Sequence, residues 1–480
     1  MRKPFTLTIS EPQFNALYAH LFPGDGDEHG AVITAGIAET ASGTRLLARD
    51  VFLAEDGKDF VPGTVGYRAF APEFIVEKAG YCADQGLCYL TVHCHGGRDS
   101  VALSPTDLAS HERGYPALLE ITNGMPVGGL VFAENVVAGD IWTEKGRFVL
   151  DHMTIVGRSI RNWYPRVTAD PIRVDTIYDR QTRIYGDVGQ KILSNLKVGI
   201  IGLGGGGSLI NEWCARLGVG EIVAIDFDKI EPTNVPRVVG STHWDAKSFL
   251  VKQKNSLLRA IGTFLAKRKL HIAERVAKKA NPSIKYRAIH GDIVDEHTAK
   301  ALADMDFIFL CTDNMQSRLV FNAIVHQYLI PGIQVGVHIH VVDKKTGEIG
   351  DITANTRLVS PHSGGGCLLC SGDISRAQLQ EETLTKDELR RQRYVDDEMV
   401  HDPSVITLNV LSAAQAANDL MMIFTGLYTE AADMGHQMHF VRDRFSFTMK
   451  PALNERCTEC GSGNMSRKAR GDTTRLPCRM

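Results

Sequence analysis

The 480-residue chain carries 53 Lys and Arg against 56 Asp and Glu, a formal charge of −3 at neutral pH, with 44% hydrophobic residues. That is the balance of a water-soluble globular protein with room for two or three domains, and it provides no bulk attraction for nucleic acid or acidic lipid. No apolar run reaches membrane-spanning length, and the start (Met1-Arg-Lys-Pro-Phe-Thr) has no apolar signal core, so the expectation is a cytoplasmic protein. Ten cysteines in so long a chain are not a disulfide scaffold; in a reducing compartment, paired cysteines more often hold metal.

Residues 1–165 read as one α/β unit. Alternation in Phe5-Thr-Leu-Thr-Ile and the run Ala48–Leu53 predict strands, Phe74–Gln85 has helical spacing, and Cys88–His93 and Gly128–Ala133 are buried-strand patterns. The chemistry gathers where the Cys88–His93 strand ends. His93-Cys94-His95 puts two imidazoles on one side of a strand, because side chains alternate, and a short spacer leads to Ser104-Pro-Thr-Asp107. Two histidines and an aspartate make a three-ligand zinc site with one position left for water. A carboxylate must then take that water's proton, and Glu28, just before the apolar run Gly30–Ile37, is the candidate. Taken singly, a His-x-His is also an ordinary strand end and a Ser-x-x-Asp an ordinary helix cap.

A distant Glu, then His-x-His, then Ser-x-x-Asp resembles the pattern of the JAMM (JAB/MPN) metalloproteases. The resemblance implies that His93, His95 and Asp107 bind a catalytic zinc, that Glu28 is the general base, with Glu11 and Glu39 as alternatives, and that Ser104 helps hold the tetrahedral oxyanion. The sequence departs from the family at Gly96, where a proline is usual, and in a spacer before Ser104 that runs one residue long. Trp163-Tyr-Pro and Asp170-Pro171 break the chain and place a linker at 166–177.

The stretch Tyr178–Tyr185 leads by a short helix into Val198-Gly-Ile-Ile-Gly-Leu-Gly-Gly-Gly-Gly-Ser-Leu-Ile210, a β-branched apolar run that meets five glycines within six residues and then a helical pattern. Gly202, Gly204, Gly205 and Gly207 let a backbone pass close to a phosphate, with a helix N-terminus aimed at it. A second strand, Glu221–Ile225, ends in Asp226, an acid suited to accept hydrogen bonds from a ribose. Asp228, Asn234 and Arg237 follow, then an amphipathic helix that carries Lys269 and stops at Asn281-Pro282. A further apolar strand, Phe307–Thr312, ends in Asp313-Asn314, with Arg318 on the next helix.

In the family's order, Tyr-x-Arg-Gln, Gly-x-Gly-Gly-x-Gly-Ser, Asp-x-Asp and Cys-Thr-Asp-Asn resemble the ThiF/MoeB superfamily, the activating enzymes of ubiquitin-like proteins, across a domain expected at 178–465. The resemblance implies a Rossmann-like nucleotide-binding fold with a structural zinc. It also implies adenylation, with ATP and Mg2+, of the C-terminal glycine of a ubiquitin-like or sulfur-carrier protein. By position Asp226 holds the ribose beside Asp228, and Asn234, Arg237 and Lys269 face the triphosphate. Asp313, next to Asn314, governs magnesium and the attack on the α-phosphate. Arg180 reaches the nucleotide of another subunit, so a homodimer is implied. The stretch from Arg237 to Lys269 is longer than in compact members, which keeps Lys252, Lys254 and Lys267 open as the functional lysine.

Cys367-Leu-Leu-Cys370 and Cys457-Thr-Glu-Cys460 are two Cys-x-x-Cys knuckles, and four thiolates close a tetrahedral zinc site that is structural because no position is left for water. Ser371–Asp402 is charged and reads as an exposed crossover segment, Leu408–Thr425 as an apolar helix, and 466–480, with five basic residues and one acid, as a disordered tail. Many activating enzymes carry a thioester-forming cysteine just before that late helix; Val405 stands there instead. The sequence therefore reads as a zinc peptidase joined to an adenylating enzyme that passes its adenylate to an external thiol, on a conjugating protein or a sulfur donor. Sulfur-carrier activation for cofactor or cysteine synthesis, and a non-catalytic dimer partner of another activating subunit, are the alternatives. No nucleic-acid or membrane partner is expected.

Overall fold

The computed structural model describes residues 3–62, 68–168, 174–343, 346, 348–361, 366–383, 403–450 and 452–479. They form two compact units. One gathers residues 1–171 with 326–329 and 455–475, and the other holds 172–325, 330–454 and 476–480.

In the first unit the strands are β1 (Phe5–Ser10), β2 (Gly30–Glu39), β3 (Thr44–Leu53), β4 (Cys88–Cys94), β5 (Val127–Ala133), β6 (Val136–Thr143), β7 (Gly146–Val156) and β8 (Ile160–Trp163), with helices α1 (Glu11–Leu21), α2 (Pro72–Gln85) and α3 (Pro105–Ile121). The sheet runs β1-β3-β2-β4-β5-β6-β7-β8, and β1 also pairs with β7, so the ladder closes on itself. Strand β5 is buried along its whole length, which is why Val127–Ala133 reads as a continuous apolar run rather than an alternating one. Helix α1 turns Phe14, Leu17 and Leu21 onto the core that contains Ile9, Leu46 and Ile155, each such burial being worth about 1.5–3 kcal/mol.

The basic C-terminal stretch corrects the expectation of disorder. Residues 466–475 are packed in the first unit: Ala469 is fully buried, Gly471 pairs with Ile37, and Glu39 donates its N–H to Asp472 at 2.8 Å. Two buried guanidinium groups hold the strap. Arg49 donates to the carbonyls of Gly463 and Ser466, and Arg470 donates to the Gln85 backbone and side chain. A charge count read the arginine as solvated because its partners are carbonyls far away in sequence. The boundary between the two units lies at 171/172, and 455–475 is gathered with the first unit.

The second unit begins with α4 (Asp179–Asn195), followed by β9 (Lys197–Ile201), α5 (Gly205–Arg216) and β10 (Glu221–Ile225). Helices α6 (Ser248–Val251), α7 (Ser256–Leu265) and α8 (Lys269–Ala280) come next, then β11 (Lys285–Ile289), α9 (Glu296–Lys300), β12 (Phe307–Leu310) and α10 (Met315–Gln327). The unit continues with β13 (Gly332–Asp343), β14 (Glu348–Val359), α11 (Arg376–Thr383), α12 (Ile406–Thr425), β15 (His436–Phe440) and β16 (Phe445–Met449). The order is β11-β10-β9-β12-β13-β14-β15-β16, parallel from β11 to β13 and antiparallel beyond. From β9 the chain winds to one side through β10, and from β12 to the other through β13. The gap beyond the carboxyl ends of β9 and β12 is a topological switch point, where open α/β sheets leave a crevice. Much of the crossover stretch lies outside the described residues, as 384–402. No helix among the described residues is long and apolar enough to cross a membrane.

Candidate functional site

A cavity of about 880 Å3 opens at this switch point. Its floor is the glycine loop between β9 and α5. Gly202 has φ +86°, and a Cβ there would sit 2.7 Å from the Thr312 methyl. Gly207 closes the turn: a Cβ would meet the Gly202 carbonyl oxygen at 1.9 Å. Gly204 is different, since a Cβ there meets nothing within 4 Å, and it faces the cavity with Gly202 and Gly205. Gly207→Ala should therefore lower folding stability by about 1–3 kcal/mol through overpacking, read as a drop in melting temperature. Gly204→Ala should melt like the wild type while binding nucleotide less tightly.

Asp226 follows β10 and is 8% exposed. One carboxylate oxygen accepts from the N–H of Leu203 and the other from that of Asp228, both at 2.7 Å, so this acid ties the glycine loop to the neighbouring strand. Burial pushes its carboxyl up, against the Lys269 charge and these two N–H groups. Lys269 opens α8; its backbone N–H donates to the Asp228 carbonyl and its ammonium lies 2.6 Å from the Asp228 carboxylate. Asn234 and Arg237 line the same wall, and Asp313 and Arg318 come from the end of β12 and the start of α10. Arg318 donates to the Asp373 carbonyl at 2.9 Å, and burial lowers its pKa against the charges of Asp313 and Glu382.

Several expected residues stand elsewhere. Gly207 shapes the loop without lining the cavity. Asn314 caps α10, accepting from the Ser317 N–H at 2.7 Å, and is not among the lining residues. Arg180 lies exposed in the first turn of α4, outside the cavity. Of the competing lysines, Lys267 pairs with Asp245 at 3.1 Å and Lys252 and Lys254 are exposed; none lines the cavity, whereas Lys269 does.

Sequence reasoning missed the far wall. Gln334 on β13, Asn355 and Arg357 on β14, His436 on β15, and Ser404 and Asn409 at the start of α12 line it. Burial, with the Arg357 charge, pushes His436 down to about 4, so it is neutral at physiological pH. The side-chain oxygens of Gln334 and Asn355 are buried without a hydrogen-bond partner. Only the antiparallel register, which aligns Gln334 with Arg357 and Arg357 with His436, reveals this group.

The first unit brings together the other expected set. His93 lies on β4 and His95 just past its end, with their Nε2 atoms 3.1 Å apart, and the Asp107 carboxylate lies 3.5 Å from one and 3.4 Å from the other. A tetrahedral ion with bonds of about 2.0–2.1 Å separates its ligand atoms by about 3.4 Å, so the spacing fits zinc. Ser104 is the N-cap of α3: its hydroxyl accepts from the Asp107 N–H at 3.1 Å, and the Asp107 carboxylate accepts from the Ser104 N–H at 2.7 Å. This reciprocal cap fixes the carboxylate. Burial alone would raise Asp107, but the His93 bond and charge together with Ser104 hold it well below the usual carboxylate range. Glu28 is half-buried and faces this group. Burial raises its pKa and the Asp107 charge adds to that, opposed by His93 and His95.

In the second unit the sulfurs of Cys367 and Cys370 are 3.7 Å apart. With Zn–S bonds of about 2.3 Å a tetrahedral edge is about 3.8 Å, so the spacing of this pair suits two corners of a zinc–thiolate site. Metal analysis of the purified protein should give about two zinc ions per chain. Mild chelation should remove one equivalent and leave the other, and the equivalent it removes should already be missing from His95→Ala.

The family model described as ThiF family matches residues 178–461. The molybdopterin-synthase adenylyltransferase of Haemophilus influenzae is 29% identical over 130 residues, 27% of this chain and 46% of that protein. Its Escherichia coli counterpart is 29% identical over 148 residues, 30% of this chain and 52% of that protein. The ubiquitin-like modifier-activating enzyme 5 of Xenopus laevis is 21% identical over 204 residues, 40% of this chain and 43% of that protein. The chain thus spans about half the length of the curated relatives it matches. Among solved structures, E. coli MccB with ATP aligns at a TM-score of 0.44 and 17% identity, over 90% of this chain and 100% of that one.

Proposed function

This chain belongs to the ThiF family, and from that premise we propose that the switch-point cavity adenylates the C-terminal glycine of a ubiquitin-like or sulfur-carrier protein. One observation carries the reading: the glycine loop, Asp226, Asp228, Arg237, Lys269 and Asp313 share one cavity. The reaction brings a carboxylate against the α-phosphate of ATP and expels pyrophosphate, so two anions must meet. Fixed N–H groups at the start of α5 and the cations Arg237, Lys269 and Arg318 offset that charge in place. Asp313 is the residue to hold magnesium, which would screen the phosphates. The Gln334–Asn355–His436 wall leaves room beside the nucleotide for the entering carboxyl end. Pyrophosphate exchange that depends on a carrier with a free terminal carboxylate tests the proposal.

Arg180 lies outside the cavity of its own chain, and Ile177, Ile184 and Val188 around it are exposed apolar side chains. We take this face to be covered by a second copy, with each Arg180 completing the partner's site. After adenylation the acyl group leaves for an external thiol. Val405 caps α12 where a thioester cysteine would stand. Burial pushes Cys311 up to about 12 and raises Cys214 further, so neither is a nucleophile at neutral pH. A gel of the protein with ATP and a mature carrier should show no reductant-sensitive adduct while pyrophosphate is released; an adduct that Cys478→Ala abolishes would reverse this.

For the first unit the proposal is a zinc peptidase that cuts after the carrier's terminal glycine, maturing a precursor or removing a conjugate. The His93–His95–Asp107 spacing with Glu28 beside it supports this reading. Zinc bound there would supply an activated water. Glu28, its pKa raised by burial, is placed to take that water's proton, and the Ser104 cap holds Asp107 in position. Sulfur-carrier activation without a protein target is the second reading for the adenylating site. It is favoured by the likeness to two molybdopterin-synthase adenylyltransferases.

A further inference from the structure

The chain's net charge of −3 conceals a local reversal. From Ala246 to Ala273 there are seven Lys and Arg and no Asp or Glu. Most of this stretch is the hairpin of α6 and α7. Val251 and Leu250 pack over Gly262, which alone in α7 is buried. The rest of the helix is uncovered. Leu257, Leu258, Ile261, Phe264 and Leu265 follow the i, i+1, i+4, i+7, i+8 spacing of a single helical stripe. All five are exposed, Phe264 at 76% and Leu257 at 67%. Just before α6, Trp244 is 72% exposed and meets Phe249 edge-on at 5.1 Å. Lys252, Lys254 and Arg259 are exposed and have no acidic partner among the described residues.

We propose that the α6–α7 hairpin docks the protein on an anionic phospholipid surface, its apolar stripe entering the headgroup boundary and its cations facing lipid phosphates. An apolar helical face with aromatic residues, bordered by lysine and arginine and free of acids, is the pattern of an interfacial helix. Charge decides among the occupants. A second copy meeting this patch across a twofold axis would set cations against cations. Nucleic acid would satisfy the cations but leave the stripe in water. An anionic bilayer satisfies both, each surface cation adding to the attraction. None of these side chains lines the switch-point cavity, so the inference is independent of the adenylating reading.

The test uses the full-length protein with vesicles of phosphatidylcholine alone, or with about a third of the lipid as phosphatidylglycerol. Co-sedimentation should be at least about tenfold stronger with the anionic vesicles and should fade with added salt. Trp244 emission should shift to the blue on binding, and the shift should vanish in Trp244→Tyr. Leu257→Ser with Phe264→Ser, and separately Lys252→Glu with Lys254→Glu and Arg259→Glu, should each abolish sedimentation. Unchanged melting temperatures would show that these exposed positions do not hold the fold. Equal binding to both vesicles, or none, overturns the proposal. A doubled solution mass that the Leu257/Phe264 variant abolishes, without vesicle binding, assigns the face to a second copy instead.

Discussion

Lys269→Ala should reduce pyrophosphate exchange by on the order of a thousandfold while the protein still folds and still binds zinc. The lysine stands at the first turn of α8 with its ammonium 2.6 Å from Asp228, inside the cavity that the glycine loop floors. Removing it takes away the charge that faces the incoming phosphates. It also leaves Asp226 and Asp228 side by side without a counter-charge, so the wall becomes repulsive to ATP. Losing one preorganised charge-stabilising group commonly costs about 10²–10³ in rate, and here two effects add. Lys252→Ala and Lys254→Ala should leave exchange near the wild-type rate, because neither lines the cavity. If Lys269→Ala retained most of the activity while either of those lost it, the assignment of the functional lysine would be wrong.

Glu28→Gln should leave zinc in the first unit and reduce peptide cleavage by about 10²–10⁴-fold, the usual contribution of a positioned base. The substitution keeps the shape of the side chain and removes only its proton-accepting charge. None of the three grouped ligand residues is touched, so the metal content should stay constant. Adenylation should be unaffected. The pH profile provides the second readout. Without metal, burial and the Asp107 charge raise the Glu28 carboxyl; zinc bound beside it opposes that shift. Cleavage by the wild type should fall on the acid side as Glu28 takes up a proton, and the Glu28→Gln variant should lack this limb. Full activity in Glu28→Gln would transfer the role to another carboxylate.

The parts of the site that were legible in the sequence are those made by short contiguous patterns. The glycine loop, Asp226 and the Asp313 corner each sit at a strand end, and strand ends are marked by apolar runs that stop at a glycine or an acid. His93, His95 and Asp107 were legible for a similar reason: alternation fixes the two histidines on one side, and the reciprocal Ser104–Asp107 cap fixes the aspartate. What stayed hidden depends on pairing between distant segments. The Gln334, Asn355, Arg357 and His436 wall exists only because β13, β14 and β15 align in one antiparallel register. The strap at 466–475 stayed hidden because Arg49 and Arg470 bond to carbonyls, which have no sequence signature. Asn314 shows how a neighbour in sequence can be turned to another task. It stands next to a functional acid, but its side chain is committed to the cap of α10.

The most direct test of the adenylating reading is pyrophosphate exchange measured on the wild-type protein with a panel of ubiquitin-like and sulfur-carrier proteins that end in glycine. Each is offered with a free terminal carboxylate and again with that carboxylate blocked as an amide. The account predicts exchange that needs ATP, magnesium and the free carboxylate, lost with the amide and lost with Lys269→Ala. Exchange that persists with the blocked carriers, or a protein that binds ATP but shows no exchange with any free carrier, would contradict it.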